Sequence, residues 1–152
     1  MPTLTRLAAL LCFAIATVYA GTEYYKLYEE PPRSTNGIAF VALVAAVVGW
    51  RFVGLRLGAG LLRNFSLVIQ GYIATVLMSF ILLGFYNAFT MGYRQRYKSL
   101  DDAFQGFFDV SVDHLMRMSD TSFMLMLLII AFVITGVVTL VFRLTERRRL
   151  GL

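Results

Sequence analysis

FMLMLLIIAFVITGVVTLVF, residues 123–142, is a run of twenty positions without one charged side chain. At 1.5 Å of rise per residue, a helix of that length covers about 30 Å, the thickness of a bilayer's hydrocarbon core. Arg143 follows directly, and Arg147, Arg148 and Arg149 come a turn later. A cationic cluster at the end of an apolar run marks the side of the membrane that is not translocated. This stretch sets the reading for the rest of the chain.

Working backward, three more runs of the same character appear. Segment one covers about 4–25; its core, residues 7–20, is uncharged and Tyr19, Tyr24 and Tyr25 sit toward its far end. Aromatic rings favour the headgroup level. The start also resembles a secretory signal, with Val18-Tyr19-Ala20 as a possible cleavage site. Apolar character continues past Gly21, so the segment is expected to be kept as a span. Segment two covers about 37–53. Its apolar part, 38–48, is short, and Trp50 with a snorkelling Arg51 would extend it; a re-entrant or interfacial helix is the alternative. Segment three covers about 65–93 and exceeds the minimum, which implies tilt or protrusion. Glu29, Glu30, Pro31 and Pro32 close off the first loop, since paired prolines cannot continue a helix.

Composition agrees. The 152 residues are 59% hydrophobic and only 15% charged, with a mean hydropathy of +0.71. Soluble domains carry roughly a quarter charged residues. One domain is expected, an all-α membrane protein with four transmembrane helices, and not a soluble enzyme.

Residues 100–118 differ. Apolar side chains at 100, 103, 104, 107, 108, 112, 115 and 116 make one helical stripe. Asp101, Asp102, Gln105, Asp109 and Asp113 mostly fill the remainder, and Ser99 with Asp102 resembles a capping box. The pattern predicts an amphipathic surface helix between helices 3 and 4, on the membrane surface or over the bundle end.

Four spans put both termini and the 51–63 loop on one side. That side holds eight of the fourteen Lys and Arg residues, and eight of the nine acids lie opposite. Both termini are therefore expected in the cytoplasm, with Arg94, Arg96 and Lys98 as the cations that fit least well. The net charge of +5 is explained by this bias, so no nucleic acid partner is expected. Membrane lipids are, and other membrane proteins or self-association are possible partners.

The stretch Gly49-Trp50-Arg51-Phe52-Val53-Gly54-Leu55-Arg56-Leu57-Gly58-Ala59-Gly60 is the most distinctive in the chain. Glycines let backbone approach an anion, and arginines supply donors and charge. Arg51, Arg56 and Arg63 are the candidate residues for an oxyanion or lipid headgroup. The stretch lacks the Lys-Ser/Thr end of a P-loop. Its plainer reading is a tight basic turn between two helices.

Other side chains invite chemistry less strongly. Asp102, Asp109 and Asp113 share a helix face and could hold a hard cation, but such a face is commonly just solvated. His114 is the sole histidine and offers no triad. Met116, Met118, Met124 and Met126 could hold a soft metal or simply fill apolar gaps. Cys12, the sole cysteine, excludes an internal disulfide. Gln70 and Asn87 are few polar groups for an ion-coupled transporter. No catalytic residues, metal or cofactor are expected.

The opening Met1-Pro2-Thr3 with Arg6-Leu7, the Val48-Gly49-Trp50-Arg51 stretch continued by Gly54, Arg56, Gly58 and Gly60, and Met91 followed by Arg94, Arg96 and Tyr97 resemble the TrgA-like tellurium-resistance membrane proteins of alphaproteobacteria. The resemblance implies a small inner-membrane protein associated with tolerance of tellurite. It carries over no catalytic residues. A chain with aromatic-rich helices and an amphipathic ledge also suits an accessory subunit of a larger membrane complex.

Overall fold

The structure is a computed structural model describing residues 3–28, 34–93 and 100–150. It consists of helices α1 (Thr3–Tyr25), α2 (Asn36–Arg56), α3 (Leu61–Tyr93), α4 (Leu100–Met118) and α5 (Thr121–Leu150), with no strand among the described residues. Four of the five, α1, α2, α3 and α5, are long and apolar enough to cross a bilayer. The fourth in chain order, α4, is shorter and amphipathic, with the bounds expected from its stripe.

Spans two, three and four differ in their bounds from the sequence reading, α5 running Thr121–Leu150 where the sequence predicts 123–142. The second span does not stop at Val53. It runs unbroken to Arg56, α-helical over Asn36–Val48, π-helical over Gly49–Val53, and α-helical again over Gly54–Arg56. The apolar count undershoots because the arginines sit at the helix end, where their long stems let a span end in charge. This gives 21 residues, enough for a crossing without the re-entrant alternative. The loop expected through residue 63 shrinks to 57–60, and α3 starts at Leu61. Arg94, Arg96, Lys98 and Ser99 lie outside the described residues.

The packing is that of a bundle in lipid. α1 lies against α2 and α5, and α3 against α2 and α5. The shared core is Ala9, Phe13, Ala45, Val53, Leu57, Val68, Ala131, Ile134 and Val138. Phe13 meets Tyr72 edge-on at 5.7 Å between ring centres, and Phe65 stacks on Phe132 at 4.5 Å. Asn64, Thr75, Ser79, Thr135 and Thr139 are buried, whereas Ile15, Ile129, Phe132 and Leu140 are all at least 60% exposed. Water would penalise that arrangement heavily. Hydrocarbon does not, since lipid tails cover leucine as well as another helix does, and small or polar residues then favour the interior.

Close backbone approach holds α1 on α2. A Cβ added at Gly49 would lie 2.7 Å from the Ala9 carbonyl oxygen, and one at Gly54 would lie 3.0 Å from the Arg6 Cα. A side chain at Gly49 would force the helices apart, and one at Gly54 would need α1 to give by a few tenths of an ångström. The glycines of the 49–60 stretch thus serve helix contact at 49 and 54.

At the other end, α5 starts on a cap. One Asp120 carboxylate oxygen accepts from the backbone N–H of Ser122 at 3.1 Å and of Phe123 at 3.2 Å. These are donors the first turn cannot pair internally.

Candidate functional site

The basic end of the bundle is built around a four-residue loop. After Arg56, Leu57 turns extended (φ −59°, ψ 144°) and buries its side chain, which anchors the chain as it leaves the helix. The last carbonyls of α2 then lack intrahelical donors. Three side chains brace this end and the loop that follows it. Arg63 Nη2 donates to the Arg56 carbonyl at 3.0 Å. Asn64 Nδ2 donates to the Gly58 carbonyl at 2.7 Å, while its Oδ1 accepts from the Gly58 N–H at 3.0 Å. Arg143, from the far end of α5, donates through Nη2 to the Ala59 carbonyl at 3.0 Å. Cations at a helix C-terminus also complement its dipole.

Asn64 is the pivot. An amide carries a donor pair and an acceptor on one planar group, so it can pair with both sides of a peptide. Its second N–H reaches Thr139 Oγ1 at 2.8 Å. The loop, α3 and α5 are thereby joined at one fully buried side chain.

The three candidate arginines take different places around this loop. Arg63 lies over it, its guanidinium carbon 3.5 Å from where a Gly58 Cβ would stand. Arg56 is exposed and rests over the Phe52 ring at 4.3 Å, a cation–π contact that holds its direction. Arg51 is exposed on the π-helical turn. Arg56 and Arg63 meet through the backbone carbonyl. None of the three pairs with a carboxylate among the described residues. Chemically, the end of the bundle offers guanidinium donors with no carboxylate partner for Arg51, Arg56 or Arg63 among the described side chains. That suits phosphate or another oxyanion.

A second cluster, at the opposite end, escapes the sequence reading. His114 Nδ1 lies 2.7 Å from the Tyr24 hydroxyl and 3.0 Å from that of Tyr28, and the two hydroxyls are 3.1 Å apart. One lone pair takes one strong donor. In the tautomer with the imidazole proton on Nε2, Nδ1 accepts from Tyr24, the nearer hydroxyl, and Tyr28 donates to Tyr24. Arg117 lies over the Tyr28 ring at 4.7 Å and pairs with Asp113 at 3.0 Å. Burial pushes the His114 imidazole below its ordinary pKa, Asp113 opposes that shift, and Arg117 reinforces it. No local motif signals this group, because its members stand 86 and 90 residues apart.

The cluster turns α4 in an unexpected way. Ser111, His114 and Met118 are among its more buried positions, while Val112, Leu115 and Met116 from the apolar stripe are exposed. The described part of the stripe thus faces outward, and histidine faces the bundle. Asp109 is exposed and Asp113 is committed to Arg117. The side chain of Asp102 lies outside the described residues. No group of three potential His, Cys, Asp or Glu metal ligands occurs among the described residues. Cys12 is half-buried and unbridged. Comparison with protein-family models, characterised proteins and solved structures returns no match.

Proposed function

We propose that this chain is a non-enzymatic multipass protein of the bacterial inner membrane, with both termini in the cytoplasm, of the TrgA-like type associated with tellurite tolerance. The observation that supports this reading is the 49–60 stretch. Gly49 and Gly54 fit the α1–α2 contact, and its arginines sit toward one end of the bundle with no carboxylate partner among the described side chains. Such an end attracts oxyanions and lipid phosphates, and Arg51, Arg56 and Arg63 are the residues assigned to that attraction. The test uses a host lacking the gene and complemented with variants. Arg51→Gln with Arg56→Gln leaves the Arg63 loop contact intact. It should abolish restored tellurite tolerance at unchanged membrane levels. Full tolerance in that variant would remove the site.

A second reading is an accessory subunit of a membrane complex. Leu4, Leu7, Leu11, Ile15 and Val18 are all exposed on α1, at the three- and four-residue spacing of a helix-packing seam. Purification from native membranes in a mild detergent separates the two. A stoichiometric partner that falls away on Leu11→Ala with Ile15→Ala supports the subunit reading.

A further inference from the structure

Along the basic end of α5, Leu61, Gly136, Thr139, Leu140, Arg143 and Leu144 line an open trough of about 290 Å³. Its character changes along its length. Leu61, Leu140 and Leu144 give it apolar walls, each more than half exposed. Gly136 makes its notch, because nothing lies within 4 Å of where a Cβ would stand. From Gly136 to Leu144 the helix rises about 12 Å. At the polar end stands Arg143, fixed by its bond to Ala59. A guanidinium carries five N–H donors, so one bond orients the group and leaves a fork for a phosphodiester.

The geometry points to a binding site for an anionic glycerophospholipid, with its phosphate on Arg143 and an acyl chain in the trough past Gly136. Two features select this occupant. The trough is apolar where a chain would lie and cationic where a headgroup would lie. The adjoining loop also carries Arg63 on the Arg56 carbonyl, and neither Arg63 nor Arg143 pairs with a carboxylate among the described side chains, Glu146 lying outside them. A zwitterionic lipid brings its own cation to that position and gains less. The inference rests on the bilayer setting of the fold and not on tellurite tolerance.

The test measures binding to the purified full chain in neutral-detergent micelles, by native mass spectrometry and by thermal unfolding. The probes are phosphatidylglycerol, phosphatidylcholine and inorganic phosphate. Phosphatidylglycerol should be retained and should raise the unfolding temperature; the other two should do neither. Gly136→Leu fills the notch without touching Arg143, and leucine is the better helix former. Its affinity for phosphatidylglycerol should fall by about tenfold, near 1.4 kcal/mol, with the lipid-free unfolding temperature kept. Arg143→Gln should lose the preference for the anionic lipid. Equal responses to the two lipids, a shift with inorganic phosphate alone, or wild-type affinity in Gly136→Leu would each overturn the site. Tellurite tolerance is not read here, so failure of this inference and failure of the proposed function are separable.

Discussion

Asn64 shows how much one side chain can carry at the end of a bundle. Replacing it by alanine removes three hydrogen bonds and leaves the Gly58 peptide and the Thr139 hydroxyl without that partner. Unpaired buried polar groups cost about 1–3 kcal/mol each. Asn64→Ala should therefore lower stability by about 2 kcal/mol or more, visible as a lower unfolding temperature in detergent. Thr139→Val, which removes a single contact, should cost less. His114 gives a prediction of the opposite chemical kind. Its folded-state pKa lies below the ordinary value of 6.5. The unfolded state thus binds the proton more readily, and the histidine's contribution is intact above about pH 6.5 and declines as pH falls below it. The groups around it are Tyr24 from α1, Tyr28 from the turn that follows α1, Asp113 and Arg117 from α4, and the neutral ring of Phe80, with Phe123 against Tyr24. Protonation turns Nδ1 into a donor, so the Tyr28–Tyr24–His114 chain must reverse. Acidification from pH 7.5 to 5.5 should lower amide protection across residues 111–118 relative to the intrinsic exchange rate at each pH, and His114→Gln should remove that dependence. Identical protection at both pH values in the wild type would refute the assignment.

Among the elements, α2 is where sequence and structure diverge most instructively. Gly49→Ala places a methyl group 2.7 Å from the Ala9 carbonyl. Because backbone cannot swing aside as a side chain can, overpacking of this kind costs about 1–3 kcal/mol. The variant should show a lower unfolding temperature, while Gly60→Ala, whose Cβ would meet only the Arg63 Cβ at 3.8 Å, should not. The spans themselves are legible from apolar length alone: the 4–25 run matches its helix to within a residue, and 100–118 is bounded by its own periodicity. What periodicity cannot show is which partner each face meets. Gly49 and Gly54 look like loop or anion-binding glycines until α1 is seen against them. His114 looks like a bystander on a polar face until the end of α1 arrives beside it. Asn64 draws no attention because a polar residue near a span end is ordinary, and its value lies in a loop and a helix 75 residues on.

For the whole molecule, the prevailing physical fact is an outside crowded with leucine, isoleucine and phenylalanine, around an apolar interior that also takes in threonine, serine and Asn64. The chain should therefore stay with membranes through high-salt and alkaline washes and leave them only in detergent. The charge bias predicts a cytoplasmic C-terminus. A fluorescent protein fused there, of a kind that matures only in the cytoplasm, should be bright, and an alkaline phosphatase fused there should be inactive. The reverse pattern would invert the bundle and place its basic end outside. Fold class is readable because hydrocarbon demands long apolar helices of any sequence. The candidate site is readable only as composition, since which arginines brace the loop and which stand clear of it depends on where α5 ends.

The π-helical turn at Gly49–Val53 adds a consequence for how α2 tolerates change in length. A π turn accommodates one residue more than the α-helix it interrupts. Deleting a single amino acid there would let the segment rewind as plain α-helix, and the residues beyond would keep roughly their places around the axis. Gly54 would stay beside Arg6, and Leu57 would stay turned to the interior. The turn thus absorbs a surplus residue, so α2 should tolerate the loss of one codon here far better than in its regular turns, where a deletion rotates everything beyond by about 100°.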